Sequence, residues 1–334
     1  MKYDAINSKV AGMNAKLLTY EDYSRLCKCK NVRDMSNRLR VHHASSYAGA
    51  VSDSDDIGLR LFSLLDEDYA KICKFISDND IKKYLDSLFM KRQIFRAKYM
   101  LREAAYGDKG NIYALDKSQS FSRVYDCIEA FKGSAMYESL KSAYKPNIPL
   151  FELEIVLDLY YYTNLWRAKN KYLRGVNKDI AARISGTEID MQNLIWIYRL
   201  KAYYKPAEQL MYKYIIPINY KISPELILQL VEADSEESLR ALIKATPYGV
   251  FFADYIHIED SLGKALSYAY RRTRGKKQNL IASIVWYLFR KEMEIKRIIS
   301  IAEGVNYSLS PLEIIASVNY TVDKRYYGKE GSYA

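Results

Sequence analysis

The chain has 334 residues, 49% of them hydrophobic and 27% charged, which is enough apolar material for a real core and fits two or three domains. Gly (14) and Pro (7) are scarce and no Asn-Gly or Asp-Gly pair occurs, so a hairpin-rich β architecture is excluded and helix is the expected material. The 51 Lys+Arg against 40 Asp+Glu give +11, which suits an anionic partner such as an acidic protein, nucleic acid or lipid headgroups without choosing among them.

Read from the N-terminus, Met1-Lys2-Tyr3-Asp4 meets an acid at once and no apolar h-region follows, so no secretory signal is expected. Leu18-Thr19-Tyr20-Glu21-Asp22 is a helix start, with an apolar residue, a hydroxyl cap and acids in the first turn. Arg38-Leu39-Arg40 then leads to Tyr47 and Gly49. Phe89-Met90-Lys91-Arg92-Gln93-Ile94-Phe95 belongs to a long apolar helix, and a joint is expected over Gly107 to Asn111. A middle copy of the short-helix pattern has its start near Ser122 and reads Glu138-Ser139-Leu140-Lys141, before a second joint over Lys145 to Pro149.

The spacing of Leu153, Val156, Leu157, Tyr160, Tyr161 and Leu165 predicts a helix over Phe151 to Tyr172. From Ile184 to Tyr204 the apolar residues surround the helix on nearly every side, which predicts a core helix. Ile222-Ser223-Pro224-Glu225 repeats the capped start with Pro at the first helical position. Ser238-Leu239-Arg240 then precedes Gly249 by the interval at which Arg38-Leu39-Arg40 precedes Gly49, and Tyr248 stands one place out of register with Tyr47. The turn Thr246 to Gly249 is a third joint. Glu294-Ile295-Lys296-Arg297-Ile298-Ile299 is the last long helix, and Leu309-Ser310-Pro311-Leu312-Glu313 the last capped start.

The long helices keep step, because Glu154 leads Asn193 by 39 positions and Glu259 leads Arg297 by 38. A period of about 100 residues exceeds the roughly 20 to 50 of solenoid repeats and points to three homologous helical bundles, over 1–117, 118–220 and 221–334.

Chemistry-bearing motifs are few. Cys27, Cys29, Cys73 and Cys127 form no C-x-x-C pair and sit near no histidine cluster, so they read as reduced core thiols of a cytosolic protein. No P-loop occurs, adjacent His42 and His43 would diverge on a helix, and His257 stands alone, so no metal, cofactor or catalytic site is expected. Acid pairs such as Glu152 with Glu154 and Asp66 with Asp68 read as solvated helix faces. Arg271, Arg272, Arg274, Lys276 and Lys277 put five cations within seven positions, an expected exposed contact for lipid phosphates or an acidic partner. Gln93, Asp190, Asn193, Lys201 and Arg297 are polar residues on apolar helices. They either line an opening or bond between neighbouring units. The net charge keeps a nucleic-acid-binding helical protein as the alternative, although no docking motif is present. The longest uncharged apolar stretch, Gln278 to Phe289, is far below the roughly 20 residues that cross a bilayer.

Gly186-Thr187-Glu188-Ile189-Asp190-Met191-Gln192-Asn193-Leu194, continuing to Arg199, resembles the C subunits of A-type and bacterial V-type rotary ATPases, a family similar to the d subunits of eukaryotic vacuolar enzymes. Leu157-Asp158-Leu159-Tyr160-Tyr161, Lys291-Glu292-Met293-Glu294-Ile295-Lys296, Gly304, Tyr3 and Asn7 extend the resemblance over the whole length. The chain departs from the pattern at Met90, which stands where Asp190 and Glu294 have acids, at Gln93 in place of Asn, and at Arg297 where Asn is usual. The resemblance implies a non-catalytic all-α funnel with pseudo-threefold symmetry. Such a protein rests on the cytoplasmic face of the membrane proteolipid ring, receives the central stalk and transmits rotation. It implies no small-molecule substrate and no nucleic acid.

Overall fold

The three expected helix starts are made by the side chains that announce them. Thr19 Oγ1 accepts the Asp22 N–H at 3.3 Å while the Asp22 carboxylate accepts the Thr19 N–H at 2.8 Å. Ser223 Oγ accepts the Leu226 N–H at 3.3 Å with Pro224 in the first turn, and Ser310 with Glu313 repeats the reciprocal pair at 3.3 and 2.8 Å. Each cap satisfies amides that a helix leaves open at its start and contributes about 1 kcal/mol.

The computed structural model describes residues 4–41, 45–51, 57–106, 123–206, 208–252, 258–274 and 279–319, and among them the regular elements are all helical. After α1 (Asp4–Asn14) the order of elements recurs. Short helices α2 (Tyr20–Leu26), α3 (Val32–Val41) and α4 (Ser45–Val51) precede long α5 (Ile57–Cys73) and α6 (Asn79–Tyr106). Short α7 (Val124–Ala130) and α8 (Tyr137–Ala143) precede long α9 (Leu150–Tyr172) and α10 (Gly175–Arg199), with α11 (Glu208–Tyr214) behind them. Short α12 (Pro224–Glu232), α13 (Glu236–Ala245) and a 3₁₀ turn (Gly249–Phe251) precede long α14 (Ile258–Arg274) and α15 (Leu280–Asn306), and α16 (Pro311–Asn319) follows. The joints at 145–149 and 246–249 are loops as expected, Asn147 having a φ of 68°. Residues 107–111, Ser122, Tyr3 and the three histidines lie outside the described residues.

Packing follows different borders from the repeat. One compact unit gathers α1 to α5 with α15 and α16, and the other gathers α6 to α14. In the first, α15 lies against α1, α3, α5 and α16, with Ile284, Ile295, Ile298 and Ile301 wholly buried. In the second, α6 runs along α9 and α10 along α14, and a continuous apolar cluster joins α10 to α12 and α13 through Leu194, Ile195, Leu230, Val231, Leu239 and Ile243. The long helices therefore obey one rule. The second long helix of a repeat packs along the first long helix of the next repeat, as α6 on α9, α10 on α14, and α15 on α5.

The predicted core helix over Ile184 to Tyr204 starts nine positions earlier, at Gly175, and its last five residues, Leu200–Tyr204, form a π-helical turn. Leu173 and Arg174 are extended and Gly175 takes a φ of +52°, which together turn the chain from α9 into α10. Arg174 Nη1 seals the end of α9 by donating to the carbonyls of Asn170, Lys171 and Leu173 at 3.1, 3.0 and 2.8 Å. Cys27, Cys29 and Cys127 are buried free thiols, and burial pushes them up to about 11, 11 and 12, which leaves them unreactive.

Two substitutions on α12 separate packing from capping. Leu230→Ala, in the cluster under α10, lowers the free energy of unfolding by about 2–5 kcal/mol, and Ser223→Ala by about 1 kcal/mol, in urea titrations. Equal losses would contradict the placement of Leu230 in a closed core.

Candidate functional site

A carboxylate inside an apolar helix needs donors, and those of Asp190 come from outside α10. Asp190 is 1% exposed. Its two oxygens accept the Tyr220 N–H at 3.2 Å, the Lys221 N–H at 2.7 Å and the Tyr248 hydroxyl at 2.8 Å. These donors belong to the segment leading into α12 and to the corner after α13. Burial pushes the Asp190 carboxyl up, and the hydrogen bonds from Lys221, Tyr248 and Tyr220 oppose that rise.

Glu294 repeats the arrangement on α15. It too is 1% exposed, accepts the Leu18 N–H at 2.5 Å, and accepts the Tyr47 hydroxyl. Leu18 leads into the cap of α2 as Lys221 leads into the cap of α12, and Tyr47 corresponds to Tyr248. Lys291 adds charge from one turn earlier, 3.8 Å from Glu294, 3.6 Å from Asp68, and over the Tyr47 ring at 4.3 Å. Burial raises the Glu294 carboxyl, and Lys291 is the first of the groups that pull it back. Both acids thus clasp the short helices of the repeat that follows, the third repeat being followed by the first.

Of the other polar positions, Asn193 acts within its own repeat and Lys201 and Arg297 reach the next. Asn193 exchanges two hydrogen bonds with one residue's backbone, donating to Ile216 O at 3.1 Å and accepting the Ile216 N–H at 2.9 Å. Lys201 donates to Val231 O at the end of α12, and the Arg297 guanidinium lies 5.4 Å from the Tyr23 ring on α2. Gln93 stands apart, exposed on α6, and Met90 beside it is half-buried. Where the first repeat has no acid, α6 uses cations. Lys98 meets Asp158 at 2.5 Å, Arg102 grips Glu154 with bonds of 2.5 and 2.8 Å, and Lys91 reaches buried Glu188 on α10 at 2.5 Å. Glu188 also accepts from Tyr162 at 3.5 Å, and burial beside it pushes the Tyr84, Tyr162 and Tyr270 phenols up.

The two acid pairs resolve into packing as well, since Glu154 holds Arg102, and Asp68 accepts from Tyr287 at 2.5 Å. Among the described residues no cluster of His, Cys, Asp and Glu is placed to hold a metal. A cavity of about 300 Å³ is lined by Tyr106, Tyr144, Lys145, Asn147, Pro149 and Leu153 among others, and the described residues that line it include no acid, histidine or cysteine for acid-base or nucleophilic work. Of the basic cluster, Arg271 is half-buried, and Arg272 is exposed and donates to the Tyr268 hydroxyl at 2.8 Å. The side chains of Arg274, Lys276 and Lys277 lie outside the described residues.

The sequence marks Gln93, Asp190, Asn193, Lys201 and Arg297 as polar positions on apolar helices and Glu294 as the acid matching Asp190, without pairing them with their donors. Tyr47 and Tyr248, one place out of register, stand before the matching glycines of the two repeats joined by the acids, and that recurrence is the signal for the clasp. Gly186 completes it from one turn before Asp190, since a Cβ there would lie 2.3 Å from the Tyr220 ring. Gly186→Ala therefore costs about 1–3 kcal/mol by overpacking. Tyr248→Phe costs about 1–3 kcal/mol by leaving the carboxylate a donor short. Thermal melts test both, and an unchanged midpoint in either would contradict the clasp.

Comparison with known proteins places this geometry. A family model described as ATP synthase (C/AC39) subunit matches residues 6–316. The chain is similar to the A-type ATP synthase C subunit of Methanosphaera stadtmanae, with 27% identity across 92% of this chain and 85% of that protein. It is also similar to the A-type ATP synthase C subunit of Methanocaldococcus jannaschii, with 23% identity across 93% and 85%, and to that of Methanobrevibacter smithii, with 23% across 84% and 80%.

Proposed function

The chain belongs to the ATP synthase (C/AC39) subunit family, and from that premise we propose that it is the non-catalytic coupling subunit of an A-type rotary ATPase. In this reading it is a socket between the central stalk and the membrane proteolipid ring, and it carries rotation between them for ATP-linked proton or sodium transport. The observation that carries the proposal is the family match from residue 6 to 316, joined by relatives of that description aligned over 80% or more of their length.

The physical support is of two kinds. A part that transmits torque has to resist shear, and buried acids holding backbone amides fix helices more stiffly than apolar contact alone. Buried Glu188, Asp190 and Glu294 are committed to internal contacts. Among the described residues no helix is long and apolar enough to cross a membrane, and attachment at the cytoplasmic face is peripheral in this reading.

The three repeats, over 1–117, 118–220 and 221–334, form the walls of a pseudo-threefold funnel in this proposal. Asp190, Lys201 and Arg297 set the spacing of the walls, Asn193 ties its helix to the end of its own wall, and Gln93 is the member of the stripe left to face a partner. Arg271 and Arg272, with Arg274, Lys276 and Lys277, supply an anion-seeking contact. The nucleic-acid reading rests on net charge alone, and Lys91, Lys98, Arg102 and Lys291 of that charge are held by internal carboxylates.

Co-expression with the stalk and ring proteins of its own organism tests the assignment. The chain co-purifies with both at physiological salt, with an interface larger than about 1,200 Å² in total. Alone it does not hydrolyse ATP. Failure to bind either partner, or ATPase activity of the purified chain, would overturn the reading.

A further inference from the structure

The turn joining α9 to α10 carries charge that no described carboxylate neutralises. From Arg167 to Lys178 the sequence holds Arg167, Lys169, Lys171, Arg174 and Lys178 and no acid. None of the five forms an ion pair with a described carboxylate. Arg174 is spent on the carbonyls that end α9, and Lys171 and Lys83 each lie over the Tyr172 ring, at 5.3 and 5.5 Å.

Lys169 is the least comfortable of them. It is 4% exposed, its ammonium sits 3.0 Å from the centre of the Trp166 ring, and burial with the nearby charge of Lys178 pulls it down to about 8. A buried cation with a ring for its partner gains when an anion approaches. Val176 stands half-exposed at the apex, and the first amides of α10 have no side-chain cap to satisfy them, which adds positive potential at the same corner.

We propose that the α9–α10 turn is a contact for anionic phospholipid headgroups. Ammonium groups around half-buried Trp and Tyr, with an apolar side chain at the tip, match the chemistry of a membrane interface. An acidic protein would be met more tightly by planar guanidinium forks, and the fork at the turn itself, that of Arg174, is turned to its own helix. The sequence from Arg271 to Lys277 in the third repeat is basic too, with Arg271, Arg272, Arg274, Lys276 and Lys277, so the character recurs in sequence. The inference rests on the coupling reading only for the presence of a membrane nearby.

Co-sedimentation of the isolated chain with vesicles tests it. The chain pellets with phosphatidylcholine containing about one third phosphatidylglycerol and not with phosphatidylcholine alone, at about 0.1 M salt. Arg167→Gln, Lys171→Gln and Lys178→Gln together weaken binding roughly 100-fold, at about fivefold for each cation. Arg33→Gln, Arg38→Gln and Arg40→Gln on α3 remove the same net charge and change binding by less than about threefold. The double variant at exposed Arg167 and Lys171 guards against a folding defect and loses roughly 25-fold. Equal losses in both triple variants, or undiminished binding in the first, would overturn the proposal. Co-purification of the first triple with the stalk proteins is unchanged, so vesicle binding and assembly fail separately.

Discussion

A carboxylate cannot stay in the apolar core of a helix without donors, and in this protein most of the donors come from beyond its own repeat. Asp190 on α10 waits for the amides of Tyr220 and Lys221 and the hydroxyl of Tyr248. Glu294 on α15 waits for Leu18 and Tyr47, and the Leu18 bond spans 276 positions of chain. An uncompensated buried charge costs several kcal/mol, so neither long helix completes its core until its neighbour arrives. The border between packing units consequently falls inside a sequence repeat, and α15 shares a unit with the helices of the N-terminal repeat.

The first repeat meets the same demand differently. Met90 takes the place of the acid, and the face of α6 is fixed to α9 by Lys98 with Asp158 and by Arg102 with Glu154. The Arg102 pair is partly open to solvent, where such a bond contributes at most about 1 kcal/mol and weakens with salt. The clasps at Asp190 and Glu294 are closed to solvent and are screened far less. One architecture is thus held by two chemistries, and they differ in their sensitivity to ionic strength.

Much of this was legible in the sequence because it depends on local rules. The caps at Thr19, Ser223 and Ser310 and the all-round apolar pattern of α10 follow from side-chain chemistry and helical period, and each appears as expected. The recurrence of helix order was legible too, since Asp190 and Glu294 mark the same place in two repeats. The pairing of each long helix with the next repeat was not legible, because periodicity gives the buried face of a helix and says nothing of which helix covers it. The early start at Gly175 was missed because residues 175–183 include Asn177, Lys178, Asp179 and Arg183 and lack the all-round apolar pattern that begins at Ile184. The cations of the α9–α10 turn escaped notice because they are interleaved with apolar residues and look like an ordinary helix surface until their lack of carboxylate partners is seen.

In the proposed coupling role the long helices have to hold their places under load, and the interlocking at Asp190 and Glu294 supports that reading. Apolar burial provides most of the stability, while the buried acids decide which surfaces meet. The most direct measurement is a double-mutant cycle on Glu294→Gln and Tyr47→Phe, read as free energies of unfolding in urea. The clasp predicts a coupling of about 1–3 kcal/mol between the two positions. Losses that add within about 0.3 kcal/mol would show that Glu294 and Tyr47 do not hold each other, and would contradict the account.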